Sequence, residues 1–346
     1  MYRENDVIIL LGAGCSVDAG IPASKQMISL LEDLLETNND WQKYQKLYNF
    51  VKSAILYSDG IKGKFDNNFD IERLVNVLSE LEKKENSTLY PFIGSWNTRL
   101  QEVADSEFVI IRELRQKILQ RLNKWVSLED YSKANYYNKF YDFQTAYNYA
   151  LRIFSLNYDL CFEKNIPKSK DKTDLERGFD PTTRNWDWRR FEPKGEYEPS
   201  FYLYKLHGSI DWERDEEQGN ILKEVDNIPD IPDLIFGTDY KMQYIDPYLF
   251  YAYAFRQYSL ESKLILTIGY SYRDEHINGI LEQALSNRNE RKVIIVSPDA
   301  QIIKKGFCQN HKTDPQITAL EENAEGFLNT LTIEKLKEIL EKDILD

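Results

Sequence analysis

Apolar residues in this chain gather into two kinds of run. The first is short and continuous. Val7 to Leu11 has no polar interruption, the pattern of a strand buried on both faces in a parallel sheet. LRIFSLNYD (151–159), FYLYKLHGSIDW (201–212), LILTIGYS (264–271) and KVIIVSPD (292–299) repeat it, each an apolar run ending in polar residues. The second kind recurs at helical spacing: Met27, Leu30, Leu31, Leu34 and Leu35, then Ile71, Leu74, Val75, Leu78 and Leu81, then Phe108, Ile111, Leu114, Ile118, Leu122 and Trp125. Asp70 stands where an N-cap is expected. KFYDFQTAYNYA (139–150) predicts a third helix after these, and helices are expected at 248–260 and 274–285. The tail TIEKLKEILEKDIL is one amphipathic helix, expected to pack on the core.

Strands and helices alternating in this way predict an α/β fold, a doubly wound parallel sheet of Rossmann-like type. The expected division is a sheet domain of residues 1–37 and 151–346, interrupted by a helical insertion module at 38–150. The stretch from Lys164 to Ser200 is polar and aromatic without a period; a loop of that length is often functional.

Composition narrows the picture. At 346 residues, two domains or one domain with a large insertion are expected, and 42% hydrophobic residues supply a full core. The 23 tyrosines suit half-buried surfaces, ring packed and hydroxyl wet. A net charge of −13 with scattered Lys and Arg disfavours direct binding of duplex DNA, which draws its affinity from neutralised phosphates. Cys15, Cys161 and Cys308 lie far apart and form no CxxC pair, so no structural zinc is expected, and their sparseness fits a reducing compartment. Tyr2 to Asp6 is polar and the apolar run after it is too short to span a bilayer. A cytoplasmic protein is expected.

Candidate chemistry sits at the predicted strand ends, where open parallel sheets bind their ligands. After the first strand come Gly12, Ala13, Gly14, Ser16, Ala19, Gly20, Ile21 and Pro22. Small residues there let backbone N–H groups reach a phosphate at a helix N-terminus; equally, they permit close strand–helix packing. The spacing is neither GxGxxG nor Walker A. SLNYD places Asn157, able to hold a ribose or a water, and Asp159, able to orient an amide; a loop Asn and a helix-capping Asp are the plain alternatives. KLHGSIDW puts His207 after a buried run, suited to general-base work, with a packed core histidine as the other reading. GYSYRDEHIN offers Gly269, Ser271, Asp274 and Asn278; Asp274 reads first as a helix cap, and His276 as lying on a helix face. His311 has no ligand-like spacing with Cys308.

The order GAGxSxxAGIP, NYD, LHGS and GYS resembles the sirtuin family, and more closely the sirtuin-like NAD hydrolases of bacterial antiphage defence. The resemblance covers Val7 to Pro22 and Leu151 to about Asp299. It implies that Gly12, Ala13, Gly14, Ser16 and Ile21 belong to a turn around the NAD diphosphate. It also implies that Asn157 positions the nicotinamide ribose or a water, that Asp159 orients the carboxamide and that His207 is the base. Gly269, Ser271 and Ser297 would lie at the adenosine half. Departures point away from acyl-lysine chemistry: Ala23, Ser24 and Lys25 replace the Asp-Phe-Arg of the deacylases, Leu156 stands where many have Gln, and the zinc cysteines are absent. The implied activity is cleavage of NAD to nicotinamide and ADP-ribose in defence, under the control of a partner. The implied setting is a homo-oligomer, with a hexameric DNA-translocase ATPase or an Argonaute-type protein as the kinds of partner. A protein deacylase and a non-catalytic NAD-binding subunit are the alternatives.

Overall fold

The computed structural model describes residues 2–63, 69–82, 98–104, 109–166, 175–192, 199–215, 220–236, 245–308 and 314–342. Phe108, His311 and the last three positions of the predicted tail helix lie outside the described residues. In chain order the strands are β1 (Val7–Leu11), β2 (Leu151–Ser155), β3 (Leu175–Glu176), β4 (Phe201–Lys205), β5 (Trp212–Asp215), β6 (Ile221–Glu224), β7 (Leu264–Ile268), β8 (Lys292–Val296) and β9 (Ile317–Leu320). The helices are α1 (Ser24–Thr37), α2 (Asn39–Gln42), α3 (Gln45–Ile61), α4 (Ile71–Glu82), α5 (Thr98–Ala104), α6 (Val109–Val126), α7 (Lys139–Tyr147), α8 (Cys161–Asn165), α9 (Tyr248–Glu261), α10 (Glu275–Asn287), α11 (Ala300–Cys308), α12 (Ala324–Asn329) and α13 (Ile333–Lys342).

Seven strands form one sheet in the order β3-β4-β2-β1-β7-β8-β9. Every pairing within it is parallel. All five residues of β1, β2, β4 and β7 are buried. Continuous apolar runs therefore mark strands covered on both faces, as the sequence predicts. From β1 the order runs outward through β2 and β4 on one side and through β7, β8 and β9 on the other. The reversal falls between β1 and β7, the topological switch point of a doubly wound sheet. The predicted strands are longer than the observed ones, because the chain turns as soon as polar residues begin: β2 stops at Ser155 and β4 at Lys205. Trp212 belongs to a separate antiparallel hairpin, β5–β6. Edge strands β3 and β9, at 2 and 4 residues, are too short for periodicity to reveal.

Chain contacts separate two compact units. The sheet unit comprises Met1–Ile21, Val126–Ile235 and Lys241–Asp346; the helical unit comprises Pro22–Trp125 and Phe236–Tyr240. These bounds differ from the sequence-based ones at 37 and 150. One physical reason lies in the 3₁₀ segment Tyr131–Asn138, whose Tyr136 and Tyr137 bond to Cys15 and Ser16 beyond β1.

Within the helical unit, α4 buries Ile71, Leu74, Val75 and Leu78, and Asp70 caps it by accepting from the Arg73 amide at 3.0 Å. The buried face of α1 is Met27, Ile28, Leu31 and Leu35. Leu30, expected on that face, is instead exposed. In the sheet unit the tail helix α13 buries Leu336 completely. Among the described residues no helix is long and apolar enough to cross a membrane.

Candidate functional site

The loop after β1 is held by glycine against glycine. Gly12 N–H donates to the Ile268 carbonyl at 2.9 Å, Gly14 N–H to Gly269 at 2.9 Å, and Cys15 N–H to Gly12 at 2.9 Å. A Cβ on Gly14 would stand 2.8 Å from Gly269 Cα, and one on Gly12 2.6 Å from Gly269 O. Gly269 has φ +66, and a Cβ there would stand 2.1 Å from Cys15 N. The packing reading of these glycines is the one seen here: they allow two loops to touch at the switch point, and the amides of Gly12, Gly14 and Cys15 are spent on protein carbonyls rather than turned to a ligand. A bulkier residue at Gly14 strikes this backbone before it could meet a ligand, so it disturbs the loop pair itself.

Ala13 is exposed, while Ser16 and Ile21 are buried. Ser16 Oγ is bonded to the Tyr137 hydroxyl at 2.9 Å and accepts from Asn157 Nδ2 at 3.3 Å. The Tyr136 hydroxyl donates to the Cys15 carbonyl at 2.6 Å. A run of side-chain hydrogen bonds thus passes from the 3₁₀ segment through the β1 loop to Asn157. Neither tyrosine is distinguishable in the sequence from its 21 companions, because nothing local marks a hydroxyl that will bond across the fold.

Ser155 and Lys205 are register partners on β2 and β4. Asn157 and His207 each follow by two residues, so the strands deliver them at the same level. Both are buried, at 7% and 4% exposure. Asn157 Oδ1 finds no hydrogen-bond partner among the described residues, a cost that buried polar groups usually avoid. Asp159, also buried, accepts from the Cys161 amide at 2.9 Å, a bond from the residue before the Leu160 N-cap to the first residue of α8.

Gly208, the residue after His207, has φ +86, and a Cβ there would lie 2.2 Å from the Asp233 carbonyl. Only glycine fits this turn. The segment 233–235 covers it, with Ile235 N–H donating to the His207 carbonyl at 2.9 Å. The Tyr158 ring lies 6.4 Å from the imidazole, centroid to centroid.

Beneath these strand ends lies a buried ionic cluster. Lys205 Nζ donates to the Asp159 carbonyl and pairs with Glu163 at 3.1 Å. Arg177 holds Asp211 through two bonds of 2.9 and 3.0 Å, and also reaches Glu163 and Glu224. Burial pushes the Asp211 carboxyl up, but Arg177, Ser209 and Lys205 together leave it below the ordinary carboxylate range. Two cations and three carboxylates thereby fix the segment Ser209–Asp211 and the chain after Asn157. Sequence reasoning missed this cluster, since its members are spread from 163 to 224. Arg177 and Glu163 fall in or beside the stretch without a period.

From β7 come Gly269, Ser271 and Asp274. Asp274 caps α10 as expected, Oδ1 accepting from the amides of His276 at 3.0 Å and Ile277 at 3.3 Å. Its other oxygen, Oδ2, lies 3.2 Å from His207 Nε2, with both side chains about 5% exposed. Ser271 is exposed, and Ser297, just past β8, is half-buried. His276 is exposed on α10. Burial drives the Cys15 thiol up to about 12 and raises the Cys161 thiol further. Among the described residues, no group of three or more His, Cys, Asp and Glu is placed to hold a metal ion.

No curated protein matches the chain. Several solved structures are similar to it at low identity. A Sir2 homologue–NAD complex is 14% identical, over 96% of this chain and 90% of that one, with a TM-score of 0.44. A Sir2 homologue mutant with 2′-O-acetyl ADP ribose is 13% identical over 96% and 92%, TM-score 0.45. A Sir2 homologue mutant with ADP ribose is 12% identical over 98% and 94%, TM-score 0.45. Among family descriptions, that of the SIR2-like domain matches residues 151–320. The matched stretch is the one that holds Asn157, Asp159, His207 and Asp274.

Proposed function

We propose that the protein is an NAD hydrolase that cleaves the nicotinamide N-glycosidic bond to give nicotinamide and ADP-ribose. The observation that carries this reading is the delivery of buried Asn157 and His207 to one level at the ends of adjacent parallel strands. Binding alone needs no imidazole there, which disfavours a subunit that only holds NAD. Among the described residues the buried Asn157 Oδ1 has no hydrogen-bond partner, and a ribose hydroxyl or a water fits it.

The chemistry asks little of the chain. As the bond to nicotinamide breaks, its electron pair leaves with the ring and positive charge develops on the ribose, as in glycoside cleavage. Water adds at that carbon and His207 takes its proton, a contribution of about 10²–10⁴-fold for a placed base. Asn157, neutral and held by Ser16, orients the water or ribose without competing as a nucleophile. Asp159, Ala13, Gly14 and Ile21 would border the nicotinamide and diphosphate, with Gly269, Ser271 and Ser297 toward the adenosine. Ser16 acts on this reading through Asn157, because its hydroxyl is already engaged. Water rather than acyl-lysine as acceptor is supported by Ala23, Ser24 and Lys25 after Pro22, and by cysteines too few and too scattered for a zinc module. Consumption of a shared metabolite would suit a defence role under a partner's control.

The test is incubation of the purified chain with NAD, alone and with the products of neighbouring genes, followed by chromatography. Release of nicotinamide with ADP-ribose is expected. Turnover that requires an acetyl-lysine peptide would replace this reading with a deacylase, and intact NAD under every condition would leave a binding subunit.

A further inference from the structure

The geometry points to Asp274 as the positioning residue of His207, so that the helix cap and the orientation of the base are one carboxylate. This rests on the hydrolase reading above and extends it to a residue whose sequence context marks only a cap. The two oxygens of Asp274 divide the labour. Oδ1 accepts from the His276 and Ile277 amides, and Oδ2 meets His207 Nε2 at 3.2 Å. The cap bonds lock the carboxylate's rotamer, and α10 itself fixes where it points. Burial on both sides makes the contact strong, for a charged acceptor out of water holds its donor well.

The other ionisable groups on the surrounding elements have partners of their own. Lys205 is committed to Glu163 and to the Asp159 carbonyl. Asp211 is held by Arg177. On the covering segment, Asp233 pairs with Arg214 at 2.7 Å and accepts from Tyr248. Asp159 accepts from the Cys161 amide, and the Tyr158 hydroxyl donates to the Ile235 carbonyl.

A carboxylate facing Nε2 keeps the proton on that nitrogen and leaves Nδ1 as the basic one. In the step, a water O–H bond breaks as oxygen bonds to the ribose carbon, the proton passes to Nδ1, and nicotinamide departs with the bonding pair. The resulting imidazolium lies against Asp274 and later yields its proton to solvent. The carboxylate thus chooses the tautomer beforehand and steadies the charge afterwards, the pairing logic of a catalytic His–Asp couple.

Asp274→Asn separates the two tasks. Asparagine caps as well as aspartate, so α10 is kept, but the charge facing the imidazole is gone. Asp274→Ser keeps a capping oxygen and is too short to reach His207. For both variants the expected result is an unchanged NAD affinity, with kcat per folded molecule lower by about 10²–10⁴-fold, out of proportion to any fall in melting temperature. Because a neighbouring carboxylate favours the imidazolium, its loss lowers the His207 titration midpoint. The acid limb of kcat should therefore move to lower pH in Asp274→Asn. Wild-type kcat with an unmoved limb in Asp274→Asn would overturn the proposal, as would a loss of activity that merely follows a loss of stability. NMR titration of the His207 ring, assigned with His207→Gln, needs no turnover. If the wild type leaves NAD intact, the hydrolase reading falls, and an imidazole midpoint equal in wild type and Asp274→Asn would sink the pairing independently.

Discussion

Tyr137 and Ser16, 121 positions apart in sequence, meet as a buried pair of hydroxyls 2.9 Å apart. Ser16 in turn receives Asn157, so a tyrosine from the 3₁₀ segment steadies a residue at the proposed reacting centre. Tyr137→Phe removes that bond and keeps the ring, which packs on Phe140 and Phe162. Stability should fall by about 1 kcal/mol, the net worth of a buried hydrogen bond. Turnover should fall several-fold while NAD affinity stays within about twofold, since orientation matters most in the transition state. Unchanged kcat beside a lowered melting temperature would confine Tyr137 to packing.

His207→Ala should bind NAD near normally and lose at least about 10²-fold in turnover, the lower bound for a missing base. His276→Ala alters an exposed position on α10 and should leave activity and melting temperature as they were. Activity is to be compared per folded molecule, because removing the imidazole also strips Asp274 of a partner. An active but destabilised His207→Ala protein would reduce His207 to a core residue.

The Arg177–Asp211 pair makes stability depend on acid. The native Asp211 carboxyl is depressed, so across the interval between its native and unfolded values the unfolded chain binds more protons. Its contribution is complete above the ordinary aspartate value of about 3.9 and is lost as pH falls through the native value. Asp211→Asn should cost on the order of 3 kcal/mol at neutral pH, because Arg177 loses its bidentate partner. The difference from wild type should shrink as pH falls in that range. Denaturant melts of both proteins between pH 7 and about 3 would check this; a gap that does not narrow would be evidence against the pairing.

Thiol chemistry supplies a test of burial alone. Cys15 and Cys161 are enclosed and their thiols pushed up, whereas Cys308 is partly exposed. A chromogenic disulfide reagent at neutral pH should therefore titrate about one thiol in the native protein and all three after unfolding. Rapid native reaction at two or more sites would contradict the packing around the β1 loop.

How much of this could be read in advance follows from the range of each interaction. The short, mostly apolar runs of β1, β2, β4, β7 and β8, the cap at Asp70 and the cap at Asp274 are local facts, and the chain displays them directly. Asn157 and His207 were visible because parallel strands place their ends together, so a polar residue after an apolar run already has an address. Tyr137, Lys205 and Arg177 were not visible, since their partners lie 121, 46 and 34 positions away and no spacing rule spans such distances. Leu30 misled because helical spacing defines an apolar stripe but not which edge of it the neighbours will cover. Asp274 was half legible: one oxygen obeys a local rule, and the other answers to a strand on the far side of β1 and β2.

The contact of Gly12 and Gly14 with Gly269 bears on how this protein can vary. Where two side chains pack together, enlargement of one is answered by reduction of the other, and paired substitutions preserve the fit. Here backbone meets backbone, and the opposing position has no side chain left to trim. A suppressor of a bulkier residue at 12, 14 or 269 cannot arise at the facing site. It would have to change the length or path of a loop, so point mutation offers these three positions no compensated route, and they should drift less than the large apolar residues of the strands that carry them.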